Sequence, residues 1–385
     1  MARLYDKLAV CLFVALAAAP VAARLARVRD HALNGAFTPV ALPTPSAASV
    51  RDESFQQGFK AWFEATLGLR GYAVVADNTL LYHAFHDTKS GSPVRLGRDG
   101  VLFIDEDLNY FNRDTLLFDP AKLEALATRI AAIQRALAAR HRAFIPLIIP
   151  SKTTVYRDAV AARWSRDLGE PRVSDLRLYL EMKRALDAHH VVYVDGRELL
   201  AGLHAPRDEL WGKSARHWSE YSACRALEQV AARYRELTGV ALDYDCTALT
   251  VPGIASHEDY DLLRLLNTLW VPHEHLVTTA THSTPPPDAP KPSVMFVGTS
   301  FCWSLLHDAR HSRRFGRSRM AYYDRTLIHD REDDQTPIEP HTAEWRAEFL
   351  DIDIYVLDLF ETYLAPGDSY VDHFTAELGT ELGVP

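Results

Sequence analysis

Four short apolar runs constrain this chain more than anything else in it: "AFIPLIIP" at 143–150, "VVYVD" at 191–195, "SVMFVG" at 293–298 and "DIYVLD" at 353–358. The runs are continuous, not alternating, so both faces of each strand must be covered, as in a parallel sheet flanked by helices. Stretches of helical period lie between them. Asp119-Pro120 reads as an N-cap and first-turn pair, and beyond it Leu123, Leu126, Ile130, Ile133 and Leu137 mark one helix face. Leu176, Tyr179, Leu180, Lys183 and Leu186 outline another helix, and a longer one runs from about Ser219 to Leu237. Strands alternating with helices in this way predict an α/β fold with a mostly parallel sheet and helices on both faces. One folded body is expected over 51–380.

Upstream of that body, Arg3 and Lys7 precede Leu8–Ala23, sixteen residues without a charge, and Arg24 follows. This pattern fits an export leader over 1–23 cleaved after Val21-Ala22-Ala23, and equally an uncleaved anchor in the inner membrane. Residues 24–50 are rich in Ala, Pro and Thr and read as a linker. Next comes "SFQQGFKAWFEATLGLR", where Phe55, Phe59, Trp62 and Phe63 recur near helical spacing; it is expected to be an amphipathic helix packed on the body. Residues 281–292, "THSTPPPDAPKP", form an irregular loop, and the segment around Asp372-His373 reads as a polar tail.

Composition removes some function classes. With 42 Lys plus Arg against 51 Asp plus Glu the formal charge is −9, the wrong sign for a nucleic-acid binder. None of the 17 histidines stands with cysteine at zinc-site spacing, so no metal and no cofactor is expected. Of the four cysteines, Cys224 and Cys246 are available for a disulfide if the compartment is oxidising.

Ser300 is the residue that most suggests chemistry. It follows "FVGT" at the carboxyl end of a buried strand, where doubly wound sheets bind ligands. Gly298 lets the backbone turn tightly, and the start of the next helix offers unpaired N–H groups. A serine nucleophile needs a base. His217, just before the expected N-cap Ser219, lies at a helix mouth that favours the neutral imidazole.

Taken in order, the segments "GRDGVLFIDEDLNYF", "IPSKTTVY", "KSARHWSEYSA", "YDLLRLLN" and "FVGTSF" resemble the SGNH-hydrolase-like alginate O-acetyltransferase family of the AlgJ/AlgX type. The resemblance implies an exported, periplasmic SGNH-like domain. Such a domain moves acetyl groups, supplied through a membrane-bound O-acyltransferase partner, onto an exopolysaccharide. It also implies Ser300 as nucleophile, His217 as general base, and Gly298, Thr299 and Ser300 as the elbow and oxyanion hole. Lys152, in the segment resembling the P-x-K motif, is a candidate substrate contact. An SGNH-type esterase and a non-catalytic scaffold protein share the same residues and stay open.

One position departs from the pattern. Ala215 stands where the family motif has the aspartate two residues before the histidine. A backbone carbonyl orienting His217, another acid such as Asp208, Glu209 or Asp372, or loss of catalysis are the alternatives. Asp261 and Tyr323 fall in segments that match the family, but nothing in the residues calls for chemistry from either.

Overall fold

The computed structural model describes residues 2–35, 39–89, 91–111, 119–161, 177–252, 260–269, 276–363 and 369–384. His273 and His275, to which the sequence assigns no role, lie outside them. The chain divides into two compact units, Met1–Arg95 with Leu262–Pro272, and Leu96–Asp261 with His273–Pro385. The residues from 51 to 95, which the sequence reading placed in the main body, thus belong to the first unit.

That unit contains helices α1 (Ala2–Leu25), α2 (Ser54–Thr66) and α3 (Arg70–Phe85). Helix α1 includes a stretch, Tyr5–Leu25, of 21 residues with mean hydropathy 2.2, long and apolar enough to cross a membrane. Helix α2 is amphipathic as expected, but none of its residues is buried.

The second unit is built on α4 (Pro120–Ala138), β1 (Ala143–Ile149), α5 (Arg177–Ala188), β2 (Val194–Asp195), α6 (Glu220–Thr238), β3 (Ser293–Gly298), α7 (Cys302–Ser312), β4 (Arg317–Tyr322), β5 (Thr326–Ile328), β6 (Gln335–Pro337), α8 (Ala343–Phe349), β7 (Ile354–Phe360) and α9 (Tyr370–Leu382). The strands form one seven-stranded sheet in the order β6-β5-β4-β3-β7-β1-β2. The five strands from β4 to β2 run parallel. The antiparallel pairings in this sheet are β4 with β5 and β5 with β6, a meander at one edge. This is the SGNH hydrolase-like α/β architecture.

The continuous apolar runs now have their reason. In β3, Val294 and Phe296 face one core with α6 and α7, while Met295 and Val297 face the other with α4, α5 and α9. Every residue of β1 and β7 is buried. The strand expected over 191–195 shrinks to Val194–Asp195, an edge strand paired only with β1. The expected polar tail is instead helix α9. Ser369 caps it by accepting from the Asp372 amide, and Val371, Phe374 and Leu378 pack into the second core.

Cys224 on α6 is joined to Cys246 by a disulfide, with Cα atoms 6.0 Å apart. Close by, His282 shares a hydrogen bond of 2.9 Å with Asp308, which also accepts from the Tyr244 hydroxyl at 2.7 Å. Cys224, His282 and Asp308 have metal-ligand chemistry within 4.8 Å of one another, but the disulfide consumes the sulfur.

Candidate active site

Strand β3 ends at Gly298 and α7 begins at Cys302, so Thr299, Ser300 and Phe301 make the turn. Gly298 is required by its neighbour on β7: a Cβ there would sit 2.2 Å from the Asp358 Cβ. Asp358 is fully buried, and its Oδ2 accepts from the Thr299 amide at 2.9 Å and the Thr299 hydroxyl at 2.6 Å. The Thr299 hydroxyl in turn accepts from the Phe301 amide at 3.3 Å. The elbow is therefore tied to the adjacent strand through a side chain that no local pattern singles out. Gly298→Ala is expected to destabilise the protein by about 3 kcal/mol or more, since nothing but backbone movement relieves the overlap. Chemical denaturation measures it.

Burial pushes the Asp358 carboxyl up to about 6, against the Thr299 hydrogen bonds that favour its charge. The unfolded chain therefore loses this proton from about pH 4 upward, while the folded chain keeps it to about 6. Stability falls as pH rises through that window, and the contribution is worth about 3 kcal/mol. Asp358→Asn keeps an acceptor for Thr299 and removes this contribution. Denaturation of the variant at pH 4 and 6.5 is thus expected to show a smaller loss than in the parent. Buried Asp107, also pushed up to about 6 by burial, adds slope of the same sign.

With Thr299 buried, Ser300 is the partly exposed residue of the turn. Its Oγ lies 2.8 Å from His217 Nε2, and His217 Nδ1 lies 3.0 Å from Asp261 Oδ2. The side chains of His217 and Asp261 are 12% and 17% exposed, so the line from serine to carboxylate is shielded but opens to solvent. Asp261 Oδ1 accepts from the Arg216 amide at 2.7 Å, which fixes the carboxylate in the plane the imidazole needs. The Phe301 ring packs edge-on against His217 with centroids 4.8 Å apart.

Asp261 thus occupies the role left vacant by Ala215. The alternatives weighed from the sequence do not: Asp208 and Glu209 sit on a short helical turn, Arg207–Leu210, and Asp372 is in the first turn of α9. The carbonyl of Ala215 is engaged elsewhere, by Lys152. That lysine is a second correction. Its ammonium is buried and donates to the carbonyls of Gly212, Lys213 and Ala215 at 2.9, 2.7 and 2.6 Å. Burial pulls it down to about 7, opposed by the charges of Asp261 and Asp107. All three donors are spent on the loop that delivers His217, leaving none for a ligand. Arg216 steadies the same loop from the other side, 3.0 Å from Glu106 and 3.5 Å from Asp107.

The oxyanion donors also need revision. The Thr299 N–H is committed to Asp358 and cannot serve. Among the described residues the Ser300 amide has no acceptor, which leaves it as the donor at this corner.

A hydroxyl, an imidazole and a carboxylate in hydrogen-bonded series, at the carboxyl end of a parallel sheet, make a candidate serine-type site on an α/β fold. The family model for the SGNH hydrolase-like domain of the acetyltransferase AlgX matches residues 94–311. The chain belongs to this family. Among solved structures it is similar to the O-acetyltransferase domain of Pseudomonas putida AlgJ, at 18% identity over 75% of this chain and 99% of that one, TM-score 0.43. Pseudomonas aeruginosa AlgX aligns at 13% identity over 72% of this chain and 64% of that one, TM-score 0.43. Bacillus cereus PatB1 with a sulfonyl adduct aligns at 9% identity over 72% and 96%, TM-score 0.45. No curated protein matches the chain in sequence.

Proposed function

We propose that the protein is an exported, serine-dependent O-acetyltransferase acting on a secreted polysaccharide. The observation that carries this reading is the unbroken series Ser300–His217–Asp261. In the first half-reaction His217 Nε2 takes the Ser300 proton as Oγ bonds to the carbonyl carbon of an acetyl donor. The bond to the donor's leaving atom then breaks, and that atom takes the proton back from His217. In the second half a sugar hydroxyl gives its proton to His217 and attacks the acetyl carbon. The Ser300 oxygen leaves and recovers the proton. Asp261 holds the imidazole tautomer and offsets its transient charge, and the Ser300 amide faces the oxyanion.

Export is supported by the apolar N-terminal helix and by the disulfide, which belongs to an oxidising compartment. In this reading the protein works in the periplasm, with α1 as anchor and a membrane-bound O-acyltransferase as acetyl supplier; membership of the AlgX-type family supports it. The test is intact-mass spectrometry of the protein after exposure to an activated acetyl ester, with and without oligosaccharide. An acetyl adduct on Ser300, discharged faster by sugar than by water, is the expected result. Discharge by water alone would make the protein an esterase, and absence of any adduct on folded protein would overturn the catalytic reading.

A further inference from the structure

Helix α2 carries Phe55, Phe59, Trp62 and Phe63 on one face and Gln57, Lys60 and Glu64 on the other. Such a helix normally hides its apolar face against a core. Here the rings pack against one another: the Phe59 centroid lies 6.1 Å from that of Phe55, 5.6 Å from that of Trp62 and 6.3 Å from that of Phe63. Phe59 and Phe63 remain 43% and 44% exposed. This exposure is not general. In the second unit the exposed large hydrophobics among the described residues are Leu180 and Leu249, whereas the first unit has, besides those of α1 and α2, Tyr72, Leu80 and Phe85 on α3 and several more in its connecting segments.

The neighbour of α2 within its own unit suggests what covers the face. Arg24, at the end of α1, donates to the carbonyl of Thr66, the last residue of α2, and its guanidinium lies 5.1 Å from the Trp62 ring. A Cβ on Gly68 would meet the Pro20 carbonyl oxygen at 2.4 Å, so the turn after α2 rests directly on α1. The aromatic face is therefore continuous with a helix apolar enough to cross a bilayer, and Arg24, Arg27 and Arg29 mark where that helix meets charged surroundings.

We propose that α2 is an interfacial helix whose face of Phe55, Phe59, Trp62 and Phe63 lies in the lipid surface beside the point where α1 enters it. This rests on reading α1 as a retained anchor. Aromatic residues on the buried side and charged ones on the other are what the headgroup boundary selects, at a depth of about 5–10 Å. The membrane then removes from water the ring surface that this unit leaves exposed.

The test places nitroxide labels on the full chain in vesicles of phosphatidylethanolamine and phosphatidylglycerol. The sites are Phe59→Cys and Phe63→Cys, with Gln57→Cys and Glu64→Cys as the opposite face, all in a Cys11→Ser background. Several-fold greater access of oxygen over a water-soluble nickel complex at 59 and 63, relative to 57 and 64, is expected. Equal access of nickel to all four on a chain that floats with the vesicles would overturn this inference and leave the anchor standing. Exclusion of both reagents at 59 and 63 would mean that protein, not lipid, covers the face. Failure to float would overturn the anchor reading and this inference with it. In the unlabelled chain, brominated acyl chains are expected to quench a tryptophan signal that disappears in Trp62→Phe.

Discussion

Asp261→Asn is expected to lower kcat for acetyl transfer by about 10⁴-fold while leaving the fold intact. The asparagine still accepts the Arg216 amide through its oxygen, so the loop keeps its shape. Its amide nitrogen donates where the carboxylate accepted, which flips the preferred tautomer of His217 and leaves Nε2 protonated toward Ser300. Steady-state kinetics with an activated ester, alongside thermal denaturation, separates the two effects. Asp208→Asn, Glu209→Gln and Asp372→Asn are expected to keep parental rates, because both ring nitrogens of His217 are already taken, by Ser300 and Asp261. A loss below about tenfold in Asp261→Asn would show that something else orients the base.

The second large effect is at the pair itself. Ser300→Ala and His217→Ala are each expected to cost about 10⁴–10⁶ in kcat, and the double variant no more than either alone. Groups that act as one unit lose their whole contribution when any member goes. The measurement is the rate of acetyl-ester turnover together with the Ser300 adduct by mass spectrometry. Additive losses would mean that the two residues contribute separately, contrary to the 2.8 Å contact between them.

Much of this site was legible before any coordinates. Ser300 stood out because a Gly-Thr-Ser corner after a buried strand is where such sheets present a nucleophile, and His217 because it precedes a helix cap. Both signals are local and weak alone; the ordered resemblance to the family's segments is what joined them. Asp261 was within view, in a segment matching the family, yet it drew no role because 44 residues separate it from His217 and no short-range pattern joins them. Lys152 went the other way. Its position at the end of a strand suggested a ligand contact, while its use as a buried clamp on the 212–215 carbonyls depends on a loop 60 residues downstream. Asp358 was read only as the end of an apolar run. Its carboxyl became a brace because β7 lies next to β3 in the sheet, an adjacency that chain order does not contain.

The sequence by itself determined the class of fold, the corner on which Ser300 sits and the apolar N-terminal helix. Hydrophobic period, turn residues and charge-free length are properties of neighbouring residues, and neighbours suffice to read them. Only the tertiary structure decided which acid partners His217, what Lys152 holds, why residue 298 must be glycine, and that Phe59 and Phe63 of α2 stay exposed. Each of these depends on which distant segments the packed sheet and its loops bring within a few ångströms, and the energy of that choice is spread over the whole core.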